Sequence, residues 1–416
     1  MQLKKQGSIR NALALATTSM LAVTSQQVTA ADEQSAWDID SSILFYSEQD
    51  RVTVVEPVIR ARKEIADDEF LNLRLVVDSL TGSSANGAIK QSTPQTFTTP
   101  SGNATYTTPA NETPLDPTFH DTRGAINVEW EKPLTKTMNG VFGANASKEY
   151  DYLSVGASAK LNWDFNQRNT TLTTGLSYNF DTVDPVGGIP LGLSAMPLTT
   201  TTPKAKSGND DTKDVVDIFA GITQVIDRKT LMQFNYSFGK DSGYLTDPYK
   251  ILSVVDSVTG NLRTTDPYLY EYRPDSRARN SLYWNTIHQF GSDVFRGSYR
   301  YYWDDWGIKS HTIDLKYRKD LGKQSYLQPH FRYYSQDEAD FYHYKLTDGA
   351  IPQFASADYR LGKLTSTTLG LKYGIALDKD SEFSVRGEFM KQQSKGEGDL
   401  PDVDAAILQL SYSLRF

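Results

Sequence analysis

The stretch DAAILQLSYSLRF, residues 404–416, alternates strictly. Ala406, Leu408, Leu410, Tyr412, Leu414 and Phe416 fall on one side, while Ala405, Ile407, Gln409, Ser411, Ser413 and Arg415 fall on the other. A period of two is that of a β-strand, whose successive side chains point to opposite faces. A continuous apolar row against a mostly polar one suits a strand with lipid on one side and a wet lumen on the other. A strand of a soluble sandwich alternates as well, so the decision rests on the rest of the chain.

Upstream, the same rows recur. Leu71, Leu73, Leu75 and Val77 oppose Asn72, Arg74 and Asp78, and Phe383, Val385 and Phe389 oppose Ser384, Arg386 and Glu388. Alternation and turn residues predict strands over 36–46, 52–66, 69–78, 120–132, 136–149, 150–165, 168–181, 213–226, 229–240, 277–290, 292–304, 309–319, 324–335, 360–377, 381–391 and 403–416. Fourteen or eighteen strands also accommodate the pattern. The connections then sort by parity. Those after even-numbered strands are tight, as at Asp227-Arg228 and Gly291-Ser292. The four longest, near 79–119, 182–212, 241–276 and 336–359, all follow odd-numbered strands. A transmembrane β-barrel with long extracellular loops, short periplasmic turns and both termini in the periplasm obeys this rule. A sandwich has no reason to. The expected class is therefore all-β, an antiparallel transmembrane barrel of about sixteen strands. Residues 81–119, rich in Thr, Ser, Pro, Asn and Gly with little to bury, read as a mobile or irregular external loop, with a small hairpin conceivable around Phe97–Tyr106.

Composition agrees. The 416 residues include 24 Tyr, 18 Phe and 6 Trp, side chains that favour strands. Lys4, Lys5 and Arg10, the apolar run Ala12–Val23 and the small residues Val28-Thr29-Ala30 predict a secretory signal peptide over 1–30. A single barrel domain over 31–416 would follow. No cysteine follows the apolar run, which argues against a lipoprotein anchor. The stretch before the first strand is too short for a plug or a passenger domain. Removing the leader takes away three cations and moves the formal net charge from −8 to −11. An acidic chain is a poor partner for nucleic acid. With no cysteine, disulfide and thiolate chemistry are absent too.

Phe416, preceded at intervals of two by Leu414 and Tyr412, is similar to the terminal signature by which the barrel-assembly machinery recognises outer-membrane proteins. The mature chain resembles the bacterial family grouped as domain of unknown function 3570. The resemblance is carried by the Trp37–Tyr46 opening, the stretch from Glu56 to Arg62, the Leu71–Asp78 strand running into Ser79-Leu80-Thr81-Gly82, and the terminal strand. It implies a Gram-negative cell-envelope protein surrounded by outer-membrane lipid and lipopolysaccharide, and brings no reaction or catalytic residue with it.

Candidate functional residues are charges on the inferred inward faces: Arg74, Arg123, Glu129, Arg296, Arg300, Asp314, Lys316, Arg318, Arg332, Arg386 and Glu388. In a wet lumen they select small solutes by charge. Paired with one another, they instead form a structural network. Tyr299, Tyr301, Trp303 and Trp306 read as an interfacial girdle, and Tyr268, Tyr270 and Tyr272 as loop packing. Asp247-Pro248-Tyr249 and Asp266-Pro267-Tyr268 read as turn punctuation. The acidic stretch near 208–217 lacks the spacing of a calcium loop. The five histidines, His120, His288, His311, His330 and His343, are scattered, and no serine neighbourhood supplies a triad. Neither a cofactor nor a catalytic role is expected. The sequence supports a solute-conducting, porin-like barrel first, and a barrel docking an envelope or extracellular partner second.

Overall fold

The strand that ends the chain pairs with the strand that opens it. In the computed structural model, which describes residues 37–322, 324–398 and 402–416, Asp38 faces Arg415 and Glu48 faces Ala405 in one antiparallel ladder. The Trp37 amide donates to the Phe416 carbonyl (2.7 Å), and the Phe416 amide returns the bond (3.0 Å). The expected leader and its cleavage point lie outside the described residues.

Sixteen strands form the closed barrel. They are β1 (Trp37–Glu48), β2 (Val52–Ala66), β3 (Glu69–Ala85), β4 (Leu115–Thr135), β5 (Met138–Lys148), β6 (Tyr152–Phe165), β7 (Thr170–Val183) and β8 (Asp211–Asp227). The second half comprises β9 (Thr230–Gly243), β10 (Ser276–Phe290), β11 (Asp293–Asp304), β12 (Lys309–Asp320), β13 (Ser325–Gln336), β14 (Leu364–Ala376), β15 (Ser381–Ser394) and β16 (Val403–Arg415). Each pairs with its neighbours in sequence, antiparallel throughout. Among the described residues no helix is long and apolar enough to cross a membrane.

Every strand presents at least one large apolar side chain to the surroundings. Phe331 of β13 faces Leu369 of β14, which faces Phe389 of β15, and Leu369 is 59% exposed. Phe234, Trp284, Tyr299 and Ile313 continue such a row from β9 to β12. A surface this apolar suits hydrocarbon, not water.

The long connections, 86–114, 184–210, 244–275 and 337–363, leave one rim, following β3, β7, β9 and β13. Two expectations change here. The β3–β4 hairpin runs to Ala85 and restarts at Leu115, beyond the expected 78 and 120, because Leu80, on the same face as Val76 and Asp78, packs with Val52, Val54 and Phe119. β14 starts at Leu364, not 360, because Tyr359–Leu361 forms a 3₁₀ turn capped by the Asp358 side chain, which accepts from the Arg360 amide (3.1 Å).

The 81–119 stretch is no irregular loop with little to bury. Gln95–Thr98 and Thr105–Thr108 form the conceived hairpin, with Phe97 opposite Tyr106. Phe97 is fully buried against Met196, Ile251, Tyr268 and Tyr270, contributed by other loops. Ile251–Val255 pairs antiparallel with Tyr268–Tyr270 and parallel with Leu346–Thr347, so loops far apart in sequence share one small sheet. The apolar cores of the molecule thus lie mainly in these loops, which form a folded cap.

Placing a charge on the apolar belt tests its setting. Leu369→Arg is expected to cost about 2–4 kcal/mol if it meets the middle of a bilayer, read as a lowered urea midpoint in lipid vesicles. An unchanged midpoint would mean that this row does not face lipid.

Candidate functional site

The eleven charged positions singled out in the sequence all lie on the strand face opposite their strand's exposed apolar row. Arg74 falls between Leu73 and exposed Leu75, and Arg332 between exposed Phe331 and Tyr333. Several are drawn into bonded groups. Arg123 donates to Asp78 (2.5 Å). His330 lies between Asp314 and Glu388, 2.8 Å from each. Lys316 is 3.1 Å from Asp314 and Arg386 is 3.5 Å from Glu388. Arg300, Arg318 and Arg332 sit over the rings of Tyr283, Tyr326 and Tyr334 at 5.4, 3.6 and 5.7 Å, within the reach of a cation–π attraction. Arg74, Glu129 and Arg296 join none of these groups.

The His330 group depends on a missing side chain. His330 pairs with Gly370 on β14, and Gly370 pairs with Glu388 on β15. Its contact therefore skips a strand, and a Cβ on Gly370 would come within 2.6 Å of the Glu388 side chain. The same device lets Arg279 of β10 reach Asp217 of β8 over Gly239 (3.1 Å) and Asn145 of β5 reach Asn179 of β7 over Gly156 (2.9 Å). Strands two apart are separated by roughly 9–10 Å, and side chains bridge that gap where a curved sheet makes them converge.

A second group was missed in the sequence. Glu271-Tyr272-Arg273 and Asp358-Tyr359-Arg360 share an acid–Tyr–Arg spacing, and the fold of the cap brings the two together. Arg273 donates to Glu271 (3.0 Å) and Asp358 (2.9 Å), and Arg360 to Asp358 (2.7 Å) and Asp247 (3.2 Å). Glu271, Asp358 and Asp247 are almost fully buried. Burial opposes charge on Asp358, but Arg360, Lys250 and Arg273 outweigh it and hold the carboxyl far below the usual range. Glu271 goes the other way, pushed up by burial despite Arg273. The repeated triplet was the available signal; the sequence alone assigned Asp247-Pro248-Tyr249 only to a turn.

Three of the cap's footholds lie on short turns of the barrel. Tyr249 donates to Asp151 in the β5–β6 turn. Arg51 in the β1–β2 turn sits 5.6 Å from the Tyr359 ring. In the β11–β12 turn the Trp306 carbonyl accepts from the Asp340 amide (2.8 Å). Around the closed sheet these turns are four, six and six strands apart. A folded unit anchored at points so spaced lies across that mouth of the barrel.

The aromatic residues divide. Tyr301 and Trp303 stack on the exposed face (5.2 Å), and the Tyr299 hydroxyl meets His311 Nδ1 (2.7 Å). Trp306, expected in the same girdle, is instead buried against Phe341 in the cap (4.9 Å), with Arg277 over its ring (4.4 Å). It lies beyond the end of β11, where the cap covers it. Tyr268 and Tyr270 pack within the cap as expected, while Tyr272 stays 42% exposed. Among the described residues no three His, Asp or Glu side chains gather as metal ligands.

Breaking the latch tests the cap. Arg273→Met leaves Glu271 and Asp358 short of a buried partner, a loss of about 3–5 kcal/mol for such pairs. We expect limited proteolysis to cut within 244–275 and 337–363 while the heat-resistant barrel band persists. Loops as protected as in the wild type would show that this network does not hold the cap.

The family model for proteins of unknown function (DUF3570) matches residues 10–414. A comparison with curated proteins finds no match. Among solved structures, a bacterial polysaccharide outer-membrane secretin is similar over 93% of this chain and 100% of its own, at 9% identity and a TM-score of 0.44. The CymD monoaromatic hydrocarbon channel covers 93% and 89% at 10% identity and 0.41. A loop-deletion mutant of OmpT, an outer-membrane protein of Vibrio cholerae, covers 92% and 99% at 8% and 0.41. The family match spans nearly the whole chain and the sheet closes with an apolar outer belt, so the protein belongs to the DUF3570 family and is a sixteen-stranded antiparallel β-barrel of the outer-membrane kind.

Proposed function

We propose that the protein is a solute-conducting, porin-like channel, with the charged strand face lining its lumen and the cap narrowing its mouth. The observation that carries this reading is that side chains two strands apart touch on the polar face, as His330 and Glu388 do. Side chains converge in that way inside a closed sheet, and a polar interior behind an apolar belt is the arrangement of a water-filled barrel. Arg74, Arg123, Glu129 and the other charges of that face then set the field a solute meets.

The rest of the assignment follows the same reading. Residues 1–30 are the secretory leader and 31–416 one barrel domain. The long-loop rim and its cap face outward, and both termini lie in the periplasm. The belt sits in outer-membrane lipid and lipopolysaccharide, and Tyr412, Leu414 and Phe416 engage the barrel-assembly machinery during biogenesis. No catalytic role, cofactor or nucleic acid enters.

One observation favours a second reading. The cap is latched by buried ion pairs and presents a fixed outer surface, which suits a barrel that docks an extracellular or envelope partner. Planar-bilayer recording separates the two. For a channel, purified wild-type protein gives discrete conductance steps, and Arg273→Met, with its loosened cap, gives larger ones. Silence from both proteins would sink the channel reading and leave docking.

A further inference from the structure

The charges of the polar face are not spread evenly around the barrel. On β11–β15 seven cations, Arg296, Arg300, Lys316, Arg318, Arg332, Lys372 and Arg386, share that face. Away from the strand ends the carboxylates among them are Asp314, Glu382 and Glu388. Each is engaged already: Asp314 by His330 and Lys316, Glu388 by His330 and Arg386, and Glu382 by the Tyr326 hydroxyl (2.7 Å). Around the ring the opposite strands are β3–β7: β3 and β4 carry charges of both signs, among them Arg74, Asp78, Arg123 and Glu129, while β5–β7 carry few. Their polar face carries amides and hydroxyls, such as Asn145, Asn162, Thr173 and Asn179, which bond to each other, and the single cation Lys160 mid-strand.

The register arranges the cations as a ladder. Four successive polar-face positions of β12 mark its rungs. Arg300 pairs at Thr312, Arg332 at Asp314 and Arg296 at Lys316. At the fourth, Arg318 lies over the Tyr326 ring, with Lys372 against the same ring (3.6 and 5.5 Å). Alternate residues of a strand rise about 7 Å, so the ladder runs roughly 20 Å through a hydrocarbon core of about 30 Å. Stacking on tyrosine occupies the flat face of a guanidinium, while its N–H edge is the part that meets an anion's oxygens.

We propose that this wall is an anion pathway and that the protein conducts small anions, inorganic or carboxylate, in preference to cations. The inference rests on the channel reading above. A column of cations at rungs about 7 Å apart along the strand lowers the barrier for an anion at every step without a single deep well to trap it. The amides and hydroxyls of β5–β7 supply further donors, and the carboxylates on that face, Asp164 and Asp181, lie near the strand ends, where Asp181 is paired with Lys213 (3.0 Å).

Reversal potentials in planar bilayers under a potassium chloride gradient test it. Wild-type protein is expected to favour chloride over potassium several-fold. Arg300→Gln with Arg332→Gln should lose most of that preference, while Arg300→Lys with Arg332→Lys should keep it. Heat-modifiable migration on gels verifies that each variant forms the barrel. A channel with no preference, one favouring potassium, or a glutamine variant as selective as the wild type would overturn the ladder while leaving a channel. No current from either wild type or the cap-loosened Arg273→Met overturns both.

Discussion

Every backbone amide and carbonyl that enters hydrocarbon must be paired within the protein, because lipid offers no partner. A sheet meets that demand only by closing on itself. The seam between β1 and β16 is therefore the contact on which the rest depends. It joins residues nearly four hundred positions apart, and it is sealed by reciprocal bonds between Trp37 and Phe416. Once the ring is shut, each strand has one face outside and one inside, and the alternation of the sequence becomes a division between belt and lining.

Closure also explains the glycines of the polar face. Inside a ring the side chains converge, so a charged group can be satisfied by a strand beyond its neighbour, provided the strand between leaves room. Gly370 gives that room to His330 and Glu388, and Gly239 to Arg279 and Asp217. Buried charges are costly when unpaired and strong when satisfied. The polar face accordingly mixes bonded groups with arginines stacked on tyrosines. The packing that makes a soluble protein's core lies elsewhere, in the cap, whose loops bury Phe97, Leu252 and Val254 completely. The molecule joins a wall stabilised by backbone pairing to a mouth closed by side-chain packing and buried ion pairs. The two can fail separately, since the barrel's ladders do not pass through the cap.

The same division carries over to the channel proposed above. In that proposal the cap, anchored on separated turns, governs what reaches the interior, while the charges along β11–β15 govern what crosses it. One is a matter of loop contacts and the other of strand register, and they meet at the β11–β12 turn, where Trp306 leaves the wall and enters the cap.

Local chemistry was legible in the sequence wherever it repeats with a short period. Alternation as in 404–416 gave the strands, about sixteen of them, the parity of the long loops and the face on which Arg74, Arg300, Arg332 and Glu388 stand, while the closed sheet fixed the count. A strand's two faces are set by residues next to one another, and closure changes only what each face meets. What the tertiary structure decided has no local period. The pairing of Glu271-Tyr272-Arg273 with Asp358-Tyr359-Arg360, the burial of Phe97 by two other loops and the transfer of Trp306 from girdle to cap each depend on groups tens to hundreds of residues away. The cationic wall lies between these cases. Its members could be placed on a face from the sequence, but their stacking into levels came from the register of β11 to β14, which only the closed sheet fixes.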